Sequence, residues 1–204
     1  MDSLTPLHLD ALVEVFNVGA GRAAASLSEI VGEEVKLSVP SIEIKRIADA
    51  DASFVAFNNL KFGVVNQHFS GPFEAEALLL FTESHALEIV RDMMGSQMSI
   101  EELAEFEQEA MCELGNIILN ACVSAMADIL HISLESSLPS YKIASTDDIF
   151  KGLSSSEEQP YVLILHIDLS IEKRHSEGRL IFLLSSMSLH NLVVQIERFL
   201  GEIK

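Results

Sequence analysis

Residues 109–120 read EAMCELGNIILN, and residues 10–21 read DALVEVFNVGAG. Each stretch opens on a carboxylate, repeats one four residues on, and places an asparagine three further. These are Glu109, Glu113 and Asn116 in one and Asp10, Glu14 and Asn17 in the other. A fourth position, four residues beyond, is Asn120 in one and Gly21 in the other. Steps of 4, 3 and 4 keep all four on one face of an α-helix. The residues between them are almost wholly apolar, so each stretch predicts a helix buried on most sides and open along one polar stripe. The stripes lie 99 residues apart, and the same offset relates Ser38-Val39-Pro40 to Ser137-Leu138-Pro139. That spacing predicts an internal repeat, and the repeat organises the rest of the chain.

Working outward, Thr5 and Pro6 read as the N-cap and first residue of a helix over 6–31 that ends at Gly32. Gly19 and Gly21 weaken that helix by up to about 1 kcal/mol each in an exposed interior. Such glycines are kept where something approaches closely or the helix bends. Short strands are expected at 35–40, 43–47, 54–57 and 61–69, with a turn at Ser70-Gly71-Pro72 and a mostly buried strand at 74–81. Thr82 opens a helix that ends near 94, before Gly95. The pattern then restarts. Ser99 and Glu102 form a capping box for a helix over 100–130. Strands follow at 133–138, 161–172 and 178–184, and a closing helix at 188–200. The serine- and acid-rich stretch 142–160 reads as a surface loop or mobile insertion, with room for a short helix in its first part. The expected architecture is one α+β domain over residues 1–204, built from repeats at about 6–95 and 100–201. Its two halves pair their strands into a single antiparallel or mixed sheet packed against the two striped helices.

Composition narrows the function classes. The 204 residues are 49% apolar, well clear of disorder, and carry 31 acidic against 13 basic residues, a net charge of −18. So acidic a surface repels phosphate backbones and anionic membranes, which argues against a nucleic-acid partner and against membrane insertion. No basic region precedes a long apolar run at the N-terminus, and no signal peptide or membrane span is expected. Cys112 and Cys122 fall ten residues apart on one expected helix, about 15 Å, too far for a disulfide between them. A reducing, cytoplasmic setting is the expectation. The histidines are scattered, and no metal cluster or phosphate loop followed by lysine emerges.

Glutamate and asparagine three apart offer a limited chemistry. The carboxylate accepts hydrogen bonds or pairs with a cation, whereas the carboxamide donates and accepts at once and can hold a water in a fixed orientation. Asparagine is an indifferent helix former, costing roughly 0.5 kcal/mol against the best. A stripe that merely met water would have no need of it at the same offset in both copies. The competing reading is a solvent edge that duplication preserved without use.

The segments 14–28 (EVFNVGAGRAAASLS) and 113–130 (ELGNIILNACVSAMADIL) resemble the CheC family of chemotaxis phosphatases, with the related CheX proteins and the phosphatase part of FliY. The resemblance covers nearly the whole chain. Asp10, Glu14 and Asn17 match the family's recurring stripe, with Gly21 at its fourth position. Glu113, Asn116 and Asn120 match the second, with Glu109 where Asp or Ser recurs. The resemblance implies a pseudo-two-fold α+β fold with the two motif helices side by side on a sheet. It also implies dephosphorylation of the aspartyl phosphate of a CheY-type receiver domain. Glu14 or Glu113 would pair with a lysine of the regulator, and Asn17 or Asn116 would orient the hydrolytic water. Asp10, Gly21, Glu109 and Asn120 would complete the contact surface. No cofactor of its own is implied, the Mg²⁺ belonging to the regulator. Both stripes are expected to work, the second dominating. CheC proteins of some bacteria also bind the receptor deamidase CheD, a partner on which these residues are silent. A binding adaptor that docks a receiver or CheD without turnover is the alternative.

Overall fold

A computed structural model describes residues 4–47, 60–94, 99–154, 161–171 and 174–202. Helix α1 (Pro6–Val31) begins where its cap chemistry dictates. The Thr5 hydroxyl accepts from the His8 N–H at 3.3 Å, and His8 Nδ1 accepts in return from the Thr5 N–H at 3.3 Å. Gly32 stops the helix with φ of 76°, its N–H bonded to the Ser28 carbonyl at 2.9 Å. After β1 (Val35–Arg46), β2 (Lys61–Ser70) and β3 (Ala75–Thr82) come α2 (Glu83–Met94) and the second long helix, α3 (Ile100–Leu130). Ser99 caps α3 reciprocally, its hydroxyl taking the Glu102 N–H at 3.2 Å while Glu102 Oε2 takes the Ser99 N–H at 2.8 Å. The chain closes through β4 (Glu135–Ser136), β5 (Ser140–Ser145), α4 (Thr146–Ser154), β6 (Tyr161–Ile171), β7 (Arg174–Leu184) and α5 (Ser186–Glu202).

The strands form one antiparallel sheet in the order β1-β6-β7-β3-β2, with β4 and β5 both paired to the far side of β2. Exchanging β1 with β5, β2 with β6 and β3 with β7 turns the order β1-β6-β7-β3-β2-β5 into its own reverse, about the central β3–β7 pair. Helices α1 and α3 cross on one face, burying Leu12, Phe16, Leu27, Leu114 and Ile118 in the main core. They approach closely because Gly19 sits at the crossing, where a Cβ would lie 2.5 Å from Cys122 Cα. Gly115 performs the same service against the sheet, a Cβ there falling 2.4 Å from Val65 Cγ1. A second apolar cluster, with Val64, Leu80, Ile164 and Ile181, lies on the other face of the sheet, with Ile149 of α4 against it.

Several expectations need correction. The two strands at 35–40 and 43–47 are one, since β1 runs through a register irregularity between Ser38 and Ser41 that absorbs Pro40. The strand at 133–138 shrinks to Glu135–Ser136. The loop expected over 142–160 is regular through its first part. Residues up to Ser145 extend the sheet edge as β5, and Ser145 then caps α4 by accepting the Asp148 N–H at 3.1 Å. Residues 155–160, and the strand expected at 54–57, lie outside the described residues. Among the described residues α3 has the length and apolar character of a membrane span, but its apolar sides are packed on α1, α2 and the sheet.

Candidate functional site

The polar stripes of α1 and α3 each border a groove. The groove beside α3, about 660 Å³, is lined by Phe106, Glu109, Glu113 and Asn116, with Met93 and Leu138 opposite. The groove beside α1, about 490 Å³, is lined by Leu7, Asp10, Glu14, Ile129, Phe199 and Leu200. Most positions of the two linings correspond. Leu7, Asp10, Glu14 and Ile30 answer to Phe106, Glu109, Glu113 and Ile129 at the offset of 99, and Met93 and Met94 answer to Phe199 and Leu200 at 106. Each groove also borrows from the other helix, Ile30 of α1 entering the groove of α3 and Ile129 of α3 that of α1.

All four stripe carboxylates are exposed, and none makes an ion pair among the described residues. Each can therefore receive a cation from outside. The basic Arg22, one residue past the α1 stripe, is held elsewhere, bridging to Asp128 of α3 at 2.7 Å.

The asparagines differ sharply. Asn17 is closed on the fold. Its Nδ2 donates to the carbonyls of Val13 and Val39, both at 2.9 Å, and its Oδ1 accepts the Val39 N–H at 2.9 Å. The carboxamide thus pairs with both polar groups of one residue's backbone, pinning β1 to α1, and Asn17 does not line the groove. Asn116 does line its groove. Its Oδ1 accepts from Asn120 Nδ2 at 2.6 Å, and its own Nδ2 has no partner among the described residues. The backbone that would correspond to Val39 is that of Leu138, which is unclaimed by Asn116. Val39 is 1% exposed and Leu138 is 91% exposed, so the pinned strand tucks its side chain in and the unpinned segment between β4 and β5 turns it out at the groove.

Asn120 lies half-buried behind Asn116, whereas Gly21 is exposed with nothing within 4 Å of where a Cβ would stand. Gln67 lies outside the stripe spacing. It is 2% exposed on β2, and its Nε2 donates to the Ser137 carbonyl at 2.8 Å and reaches Asn120 Oδ1 at 3.4 Å. A signal was present in the alternation of β2, where Val65, Gln67 and Phe69 fall on one face and an amide stands between two core positions. Leu138 and Pro139, which the spacing marks only as repeat anchors, also line the groove.

Cys112 also borders this groove, its thiol 3.9 Å from the Pro139 carbonyl and shifted to a higher pKa by burial. Cys122 is fully buried, which pushes its thiol up to about 12. Both are free. Beneath the groove, the Tyr141 hydroxyl donates to buried Glu107, and burial followed by that carboxylate raises the phenol well above its ordinary range. Among the described residues, no three His, Cys, Asp or Glu side chains gather where they could hold a metal ion.

No family model matches the chain. Among curated proteins it is similar to the CheY-P phosphatase CheC of Bacillus subtilis (strain 168), 24% identical over 135 residues. The match takes in 65% of this chain and 64% of that protein, so it spans a little under two thirds of the relative's length. Among solved structures the fold matches FliY of Thermotoga maritima with a TM-score of 0.79 at 21% identity, covering 97% of this chain and 100% of that one. It also matches the chain of a CheX–CheY–BeF₃–Mg²⁺ complex from Borrelia burgdorferi, with a TM-score of 0.53 at 14% identity over 86% and 98% of the two chains. These likenesses speak for the fold.

Proposed function

We propose that this chain is a protein of the CheC/CheX/FliY type, that it removes phosphate from the aspartyl phosphate of a CheY-type receiver domain, and that the α3 stripe does the work. The relative's name, CheY-P phosphatase, gives the substrate class. One observation carries the choice of stripe: an unpaired carboxylate, Glu113, and a carboxamide with its Nδ2 unengaged, Asn116, border the same groove.

In this reading Glu113, one turn from Asn116, pairs with a lysine of the receiver and sets the helix against the partner's phosphorylation site. Asn116 enters beside the phosphate. Its Nδ2 donates to a phosphoryl oxygen, and the lone pair left on Oδ1 accepts a hydrogen bond from the water. The water oxygen bonds to phosphorus, the acyl–phosphate bond breaks, the aspartate leaves as a carboxylate, and the water's protons pass to the released inorganic phosphate and the solvent. Little covalent chemistry falls to the protein, so the gain comes from position: several kcal/mol if the water is held in line. The Mg²⁺ is the receiver's. Phe106, Met93 and the outturned Leu138 supply apolar contact around the charged centre.

The α1 stripe offers the docking acids Asp10 and Glu14 with the amide withheld, because Asn17 is spent on the backbone of β1. Docking without turnover, the adaptor reading, fits this half. The test follows loss of phosphate from a phosphorylated CheY-type receiver with wild type, Asn17→Ala, Asn116→Ala and the double variant. Asn116→Ala is expected to abolish nearly all the acceleration, and the double variant to resemble it. Equal decay with wild type and Asn116→Ala would remove the catalytic assignment. No acceleration of any receiver by wild type would favour the adaptor.

A further inference from the structure

We infer that Gln67 is a positioning residue for Asn116, acting through Asn120 to fix which end of the Asn116 carboxamide meets the partner. The inference rests on the reading that Asn116 is the working amide. Its basis is the polarity of a chain of four groups. A backbone carbonyl only accepts, so the Ser137 oxygen compels Gln67 to present Nε2, at 2.8 Å. The same Nε2 reaches Asn120 at 3.4 Å and so faces its Oδ1. That orients Asn120 with Nδ2 toward Asn116, whose Oδ1 it meets at 2.6 Å. Asn116 is left with Nδ2 turned away from the relay. Three amides, each able to rotate end for end, are thus set by one acceptor that cannot. Asn120 and Asn116 each accept at Oδ1, which polarises the carboxamide and strengthens its N–H as a donor.

The arrangement is costly in a telling way. Among the described residues, Gln67 Oε1 is buried without a partner. An aliphatic side chain would fill the site without that unsatisfied oxygen, and the Ser137 carbonyl, on an exposed residue, could turn to water. A core chosen for stability alone would not keep glutamine here. The first half lacks the relay throughout. Ser41 pairs with His166 where Ser140 pairs with Asn66, so Ile167 stands in the place of Gln67, and Gly21 stands in the place of Asn120. With neither amide behind it, Asn17 has turned to the backbone of Val39 instead.

The experiment compares wild type, Gln67→Met, Asn116→Ala and the double variant on a phosphorylated CheY-type receiver with Mg²⁺, reading kcat and KM separately. The side-chain amide resonances of Asn116 and Asn120 are recorded in the unbound protein. Gln67→Met is expected to lower kcat by about tenfold, as misplacing a reacting group does. KM should hold and the unfolding midpoint should not fall. The double variant should match Asn116→Ala, since the effect travels through that residue. In the spectra, Asn120 should lose its protection from solvent exchange and the Asn116 amide should shift. A wild-type kcat in Gln67→Met would overturn the relay. So would the same fold-loss in the Asn116→Ala background, or an unchanged Asn120 amide. A wild-type protein that accelerates no receiver refutes the phosphatase reading instead, and the amide spectra then decide whether the relay exists.

Discussion

Two pairs of like residues in this chain do unlike work, and their neighbours explain why. Gly19 and Gly21 lie two apart on α1. A Cβ at Gly19 would press into the Cys122 backbone at 2.5 Å, while one at Gly21 would meet nothing within 4 Å. Gly19→Ala should therefore destabilise by about 1–3 kcal/mol through overpacking. Gly21→Ala should stabilise by about 1 kcal/mol through helix propensity. Equilibrium denaturation measures both, and the same sign for the two would refute the account. Asn17 and Asn116 divide likewise. Removing the Asn17 carboxamide strands the Val39 N–H and C=O inside the fold, so Asn17→Ala should cost about 1–3 kcal/mol of stability. Asn116→Ala should cost turnover and little stability, because one bond to a half-buried neighbour is all it forfeits. The stripe spacing treats the two asparagines alike and hides this division. The partners of Asn17 and Gln67 come from segments 22 and 70 residues away, and no local pattern carries them.

The elements themselves were readable where their signals are local. Thr5, Pro6 and Gly32 bound α1, and Ser99 with Glu102 opens α3, each through bonds within one turn of the chain. Reading failed where an element exists because of a distant partner. Pro40 looks like a strand break, but β6 continues to pair on both sides of it. Residues 140–145 form a strand because β2 offers them an edge. Their burial alternates weakly, as on a half-covered edge, and gives no clean period. Helix α3 also carries its own chemical probe. Cys122 is buried with a thiol pKa of about 12, whereas Cys112 is partly open and less perturbed. A raised pKa means less thiolate at pH 8, most of all for the fully buried Cys122. A thiol reagent should modify one cysteine of the native protein and the second only as fast as the protein unfolds. Two fast equivalents would contradict the packing. Because Cys112 borders the α3 groove, a bulky adduct there should also slow release of phosphate.

At the scale of the molecule, two helices on a palindromic sheet set the α1 and α3 stripes in matched grooves. The pairing of Asn17 with Val39 breaks that equivalence, since one groove presents acid and amide together and the other presents acid alone. On the proposed reading, valency and working capacity then part company. A titration with a receiver held in its phosphorylated form by a stable phosphate mimic should saturate at two per chain. A rapid-mixing experiment with the true acyl phosphate should release one phosphate per chain in its first turnover. The idle groove would then act as a tether, keeping a second regulator near its twin and raising the local supply of substrate without hydrolysing any itself.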